Sequence, residues 1–110
     1  MRTSHTAVVE RNSVFTSSFD TEPHECAWAS EARWFVRILS IRQGAELRAR
    51  VQISPDGMFW IDEGTELPVM REEGLYSIKL REFGGWLRLS ADLDGSDPEV
   101  KVIIYLVLKE

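Results

Sequence analysis

The residues best equipped for chemistry are few and scattered. His24-Glu25-Cys26 places an imidazole two residues from the only thiol, and His5 is the only other histidine. A zinc centre needs three or four protein ligands, so this inventory is one or two short. Cys26 as a nucleophile with His24 or His5 as base lacks the group that would orient the base. The expected state of Cys26 is therefore a small buried apolar residue. Asp92-Leu93-Asp94-Gly95-Ser96-Asp97-Pro98-Glu99 gathers four carboxylates in a form that invites calcium. Its spacing departs from the helical calcium loop and it lacks that loop's terminal glutamate, so turn chemistry explains it better. Glycine-rich phosphate loops, nucleophile elbows and HExxH motifs are absent. No catalytic residue, metal site or cofactor is expected, and the reading is non-enzymatic.

Two other groups of residues suit binding. Trp60, beside the Ser54-Pro55-Asp56-Gly57 turn, and Trp86, after Gly84-Gly85, are candidates for stacking on sugar rings, with Asp56 and Asp62 as hydroxyl acceptors. In the C-terminal run, Val100, Val102, Ile104, Leu106 and Leu108 make one face while Ile103, Tyr105 and Val107 make the other. One reading makes this a central strand with a loop or the N-terminal segment over its outer face; the other sets Ile103, Tyr105 and Val107 against a neighbouring subunit. Ten of the 13 basic residues are arginine, and Arg37, Arg48 and Arg50 lie on strand-like segments. Arginine is enriched at protein interfaces and lysine depleted, which adds these three to the candidate interface.

The elements that must position these residues follow from period-two alternation. Leu47, Ala49, Val51 and Ile53 alternate with Glu46, Arg48, Arg50 and Gln52; Tyr76, Ile78 and Leu80 alternate with Ser77 and Lys79; Leu87, Leu89 and Ala91 alternate with Arg88, Ser90 and Asp92. Residues 32–42 are apolar on both faces and predict a strand covered twice. Breaks at Gln43-Gly44, Pro55-Asp56-Gly57, Glu63-Gly64, Glu72-Glu73-Gly74, Gly84-Gly85 and Asp94-Gly95 have turn chemistry. A hairpin at the second break is expected to lead directly into a strand starting at Met58. Seven to eight strands and no helix of convincing length predict an all-β, single antiparallel β-sandwich, jelly-roll-like. Residues 13–110 form the domain, and the polar residues 1–12 are expected to be an arm that orders against a partner.

Composition narrows the partners. The chain has 110 residues, enough for one core. Eighteen acidic and 13 basic residues leave a net charge of -5, which disfavours nucleic acid. The longest apolar run, 102–108, is far shorter than the roughly 20 residues of a membrane-spanning helix. One cysteine and an N-terminus without a signal-like apolar stretch predict synthesis in the cytoplasm.

The succession Val51-Gln52-Ile53-Ser54-Pro55-Asp56-Gly57-Met58-Phe59-Trp60, then Gly74-Leu75-Tyr76, Gly84-Gly85-Trp86-Leu87-Arg88-Leu89 and Val100 to Lys109 resembles small β-sandwich structural and decoration-type proteins of tailed-phage virions and phage-derived particles. The likeness covers residues 45–109. It implies a structural role on the surface of a virion or similar particle, with a homo-oligomer, often a trimer, as the working unit and a larger assembly such as a capsid as partner. It implies no catalytic residues. A carbohydrate-binding module using Trp60 and Trp86 is the alternative.

Overall fold

The computed structural model describes residues 3–110. Its strands are β1 (Ser4–Phe15), β2 (Phe19–Asp20), β3 (His24–Glu25), β4 (Glu31–Ile41), β5 (Glu46–Ser54), β6 (Ile61–Glu66), β7 (Gly74–Arg81), β8 (Trp86–Asp94) and β9 (Val100–Lys109). Every strand pair is antiparallel. Sheet A has the order β1-β9-β4-β7 and sheet B the order β2-β8-β5-β6, with β3 also on β8. Two short strands, β2 and β3, follow one another along the same edge of β8, so they fill a single strand position. The alternation predicted the all-β antiparallel sandwich, and eight positions shared between two sheets in this order make it a jelly roll.

The break between β2 and β3 has a local cause. Phe19 and Asp20 pair with Ala91 and Ser90, whereas His24 and Glu25 pair with Leu87 and Trp86, one residue out of step. Pro23 has no N–H to give to the ladder. Thr21 bridges the gap: its N–H donates to Leu89 O at 2.9 Å, and its hydroxyl accepts from Leu89 N at 2.9 Å.

Inward-facing residues of both sheets form one core. Trp34, Val36 and Ile38 of β4 and Val102, Ile104 and Leu106 of β9 meet Leu47 and Val51 of β5 and Leu87 and Leu89 of β8, all at most 2% exposed. Burying each large side chain of this kind is worth roughly 1.5–3 kcal/mol, and the alternation is what brings them to one side.

Three features differ from the sequence reading. Residues 4–12, expected in a partner-dependent arm, lie within β1 and pair with β9 of their own chain, from Ser4 opposite Lys109 to Phe15 opposite Val100; residues 1–2 are outside the described residues. Two register shifts, one around Val9 and one before Ser13, interrupt the alternation there, and Asn12 sits at a φ of 50°, a bulge conformation that asparagine tolerates. The strand expected from Met58 begins instead at Ile61. Finally, β4 is covered on its inner face alone, with Arg33 and Arg37 exposed and Phe35 and Leu39 half-buried on the other.

Candidate interaction surface

Cys26 is fully buried, and its backbone N–H and thiol both reach Gly85 O, at 2.7 and 3.4 Å. Burial, helped by the charge of Glu25, pushes the thiol up to about 12, so at neutral pH it is protonated and inert. Burial likewise holds the His24 imidazole below its ordinary value. Among the described residues no three His, Cys, Asp or Glu side chains gather as a metal site. In the acidic turn each carboxylate faces an arginine: Asp92 with Arg50 at 2.9 Å, Asp94 with Arg48 at 3.9 Å, and Asp97 and Glu99 with Arg42 at 2.7 and 3.1 Å. Arginine pairing thus accounts for the cluster.

Trp60, Trp86, Asp56 and Asp62 do come together, at one end of the outer face of sheet B, yet each is engaged within the chain. The Arg88 guanidinium carbon lies 4.5 Å from the Trp60 ring centroid, a cation–π contact that occupies one indole face. Gly57, at a φ of 80°, lies so close to Trp86 that a Cβ there would be 3.1 Å from the ring; only glycine fits both restraints. Asp62 accepts from Gln52 Nε2 at 2.9 Å and pairs with Arg50 at 3.4 Å. Asp56 accepts the N–H groups of Met58 and Phe59 at 2.9 and 3.1 Å, and these hydrogen bonds hold its carboxyl below the usual carboxylate range. They also take the donors that a strand starting at Met58 would have needed, which is why the ladder resumes only at Ile61. Met58 and Phe59 are left pointing to solvent, 76% and 75% exposed.

The candidate interface residues divide between the two sheets. Arg48 and Arg50 lie on the outer face of sheet B, tied to Glu46, Asp94, Asp92 and Asp62. Ile103, Tyr105, Val107 and Arg37 lie together on the outer face of sheet A. There the register sets Arg37 beside Ile103, Phe35 beside Tyr105 and Arg33 beside Val107, with Leu75, Ser77 and Lys79 of β7 next to the same β4 residues. Val8 of β1 adjoins Tyr105 on the other side. An apolar strip of Val8, Tyr105, Phe35 and their neighbours therefore crosses an open sheet face. Leu75 is 63% exposed at its margin.

Basic residues border this strip. The outward positions of β4, β7 and β9 carry Arg33, Arg37, Lys79, Arg81, Lys101 and Lys109 against the single acid Glu31. All three lysines of the chain are on this face. The rest of the chain holds seven of the 13 basic residues and 17 of the 18 acidic ones. The sequence reading missed Phe35, Leu75, Val8 and the lysines. The alternation of β4 and β7 carried the signal for Phe35 and Lys79, but only the register shows that they adjoin Tyr105 and Val107.

Neither a family model nor a curated relative matches the sequence. Solved structures share the fold. The PBSX exported protein XepA matches with a TM-score of 0.71 and 7% identity, over 94% of this chain and 36% of that one. The SPBc2 prophage-derived protein YomS matches at 0.63 and 8% identity, covering 100% of this chain and 96% of its own. A chain of infectious bursal disease virus, Gx strain, matches at 0.64 and 14% identity, over 98% of this chain and 32% of that one. This chain thus spans about a third of the XepA and viral chains and nearly all of YomS. The resemblance expected from residues 45–109 is met at the level of the fold. The Clostridium thermocellum xylanase 10B CBM22-1-GH10 modules match at 0.50 and 9% identity over 92% of this chain and 25% of that one, so fold alone does not separate assembly from carbohydrate binding.

Proposed function

We propose that this chain is a non-enzymatic structural protein of a virion or phage-derived particle, working at the particle surface as a decoration-type component through protein–protein contacts. It is made in the cytoplasm, associates with itself and binds a larger assembly such as a capsid. The observation that carries the reading is the open face of sheet A, where Ile103, Tyr105, Val107, Phe35 and Leu75 form an apolar strip bordered by basic side chains. Aromatic and arginine residues in such a patch are what protein interfaces favour. The jelly-roll fold common to prophage-derived and viral chains supports it.

Carbohydrate binding through Trp60 and Trp86 is less well supported, because Arg88 and Gly57 already occupy an indole face of each. Light scattering on size-exclusion fractions tests the main reading. The wild-type chain is expected to run heavier than one 12.6 kDa copy, and Arg37→Glu/Tyr105→Asp is expected to return it to one copy with its circular dichroism unchanged. A wild-type chain that stays monomeric at millimolar concentration, or a variant that assembles like wild type, overturns self-association through sheet A.

A further inference from the structure

The loop between β5 and β6 has a fixed shape and an exposed apolar tip. Ser54 Oγ accepts the N–H groups of Asp56 and Gly57 at 3.2 and 2.8 Å, and Asp56 Oδ1 accepts those of Met58 and Phe59. Two side chains thus satisfy four consecutive-turn donors, and Gly57 rests on Trp86. A loop so constrained loses little conformational freedom when its tip is buried by a partner. Its tip, Met58 and Phe59, is the most exposed pair of large apolar side chains among the described residues. The stretch 55–70 around it carries Asp56, Asp62, Glu63 and Glu66 and no lysine or arginine.

The complementary feature is on sheet A. A hollow of about 440 Å³ opens on its outer face, with Phe35 and Val107 supplying apolar surface, Arg33, Lys79, Arg81 and Lys109 around it, and Glu31 paired with Arg81 at 3.3 Å. This volume is within the range that accepts small ligands, and so has room for a benzyl side chain. Its lining holds four basic residues and one acid, whereas the loop is acidic. The loop leans on Trp86 and Arg88 of sheet B, on the opposite side of the sandwich from the hollow, so one copy cannot fill its own site.

We propose that the Met58–Phe59 tip of one copy docks in the Arg33–Phe35–Lys79–Val107 hollow of the next, making a head-to-tail assembly. This rests on the reading of sheet A as a protein-contact face and names its occupant. Each copy is then both donor and acceptor, an arrangement that closes into a ring or runs on as a filament according to the rotation between copies.

Complementation between two defective variants tests it. Phe59→Asp spoils the tip and keeps the hollow; Arg33→Glu/Lys79→Glu spoils the hollow and keeps the tip. Both change exposed side chains, and circular dichroism checks the fold. Each variant alone is expected to scatter as a monomer, and their equimolar mixture as a 1:1 dimer that grows no further, because one tip and one hollow remain. A mixture that stays monomeric overturns the proposal. So does a Phe59→Asp chain that assembles like wild type; if Arg37→Glu/Tyr105→Asp still dissociates that assembly, sheet A remains a contact face with a different occupant. A wild-type chain that is monomeric but shifts a fluorescent 12-nucleotide single-stranded DNA, with the shift lost in Arg33→Glu/Lys79→Glu, overturns both readings in favour of polyanion binding.

Discussion

Single residues here are governed by what surrounds them more than by what they are. Cys26, His24 and the acids of 92–99 are the reactive-looking groups of the sequence, and burial or arginine pairing quiets each. With its thiol raised to about 12, folded Cys26 is expected to react with an aromatic disulfide reagent at pH 8 far more slowly than in denaturant; equal rates would show that the thiol is open to solvent. The sequence made the inert cysteine legible, because neither His24 nor His5 had a group to orient it as a base. It did not make the roles of Asp56 or Arg88 legible. Asp56 looks like a turn residue and is one, but its effect is to consume two strand donors and set Phe59 outward. Arg88 looks like a solvated strand residue, yet it lies over Trp60, a neighbour that only the folded hairpin supplies.

At the scale of elements, β4, β5, β7, β8 and β9 were legible because each keeps a period of two against one core over most of its length, β4 losing it only at a register shift between Ile38 and Ser40. The beginning of the chain was not, since two register shifts in β1 reverse the alternation and leave a polar-looking string. The β2–β3 position was hidden for another reason: two residues at a time are too few to show a period. What holds it in place is Thr21, 2% exposed and doubly bonded to Leu89. Thr21→Val keeps the shape but removes the acceptor for a buried N–H, a loss of about 1–3 kcal/mol. Urea denaturation should show that drop, with Thr21→Ser much closer to wild type; a Thr21→Val chain as stable as wild type would mean that water or another group takes over the bond.

Over the whole molecule, charge is sorted by sheet. A net charge of -5 reads as evenly acidic, but the outer face of sheet A is locally basic and the acid excess lies elsewhere. No running total along the chain reveals this, because Arg33, Lys79 and Lys109 become neighbours only through the order β9-β4-β7. Contacts between unlike faces of this kind form faster and hold better at low ionic strength. Raising salt from about 0.1 M to about 1 M, which shortens the screening length from ~10 Å to ~3 Å, is expected to weaken self-association measured by sedimentation velocity. Association that strengthens with salt would assign the contact to the apolar strip alone.

The strand order also dictates when the sandwich can be finished. In sheet A, β9 stands between β1 and β4 and pairs with both, so among the described strands β1 has no partner until β9 has been made. Until β9 is made, sheet A holds only the β4–β7 pair, with the edge of β4 that faces β9 unpaired and β1 idle. Loop closure between β1 and β9, far apart in sequence, is then the late step. Whatever shields the nascent chain must do so until β9 slides into the slot between two strands already waiting for it.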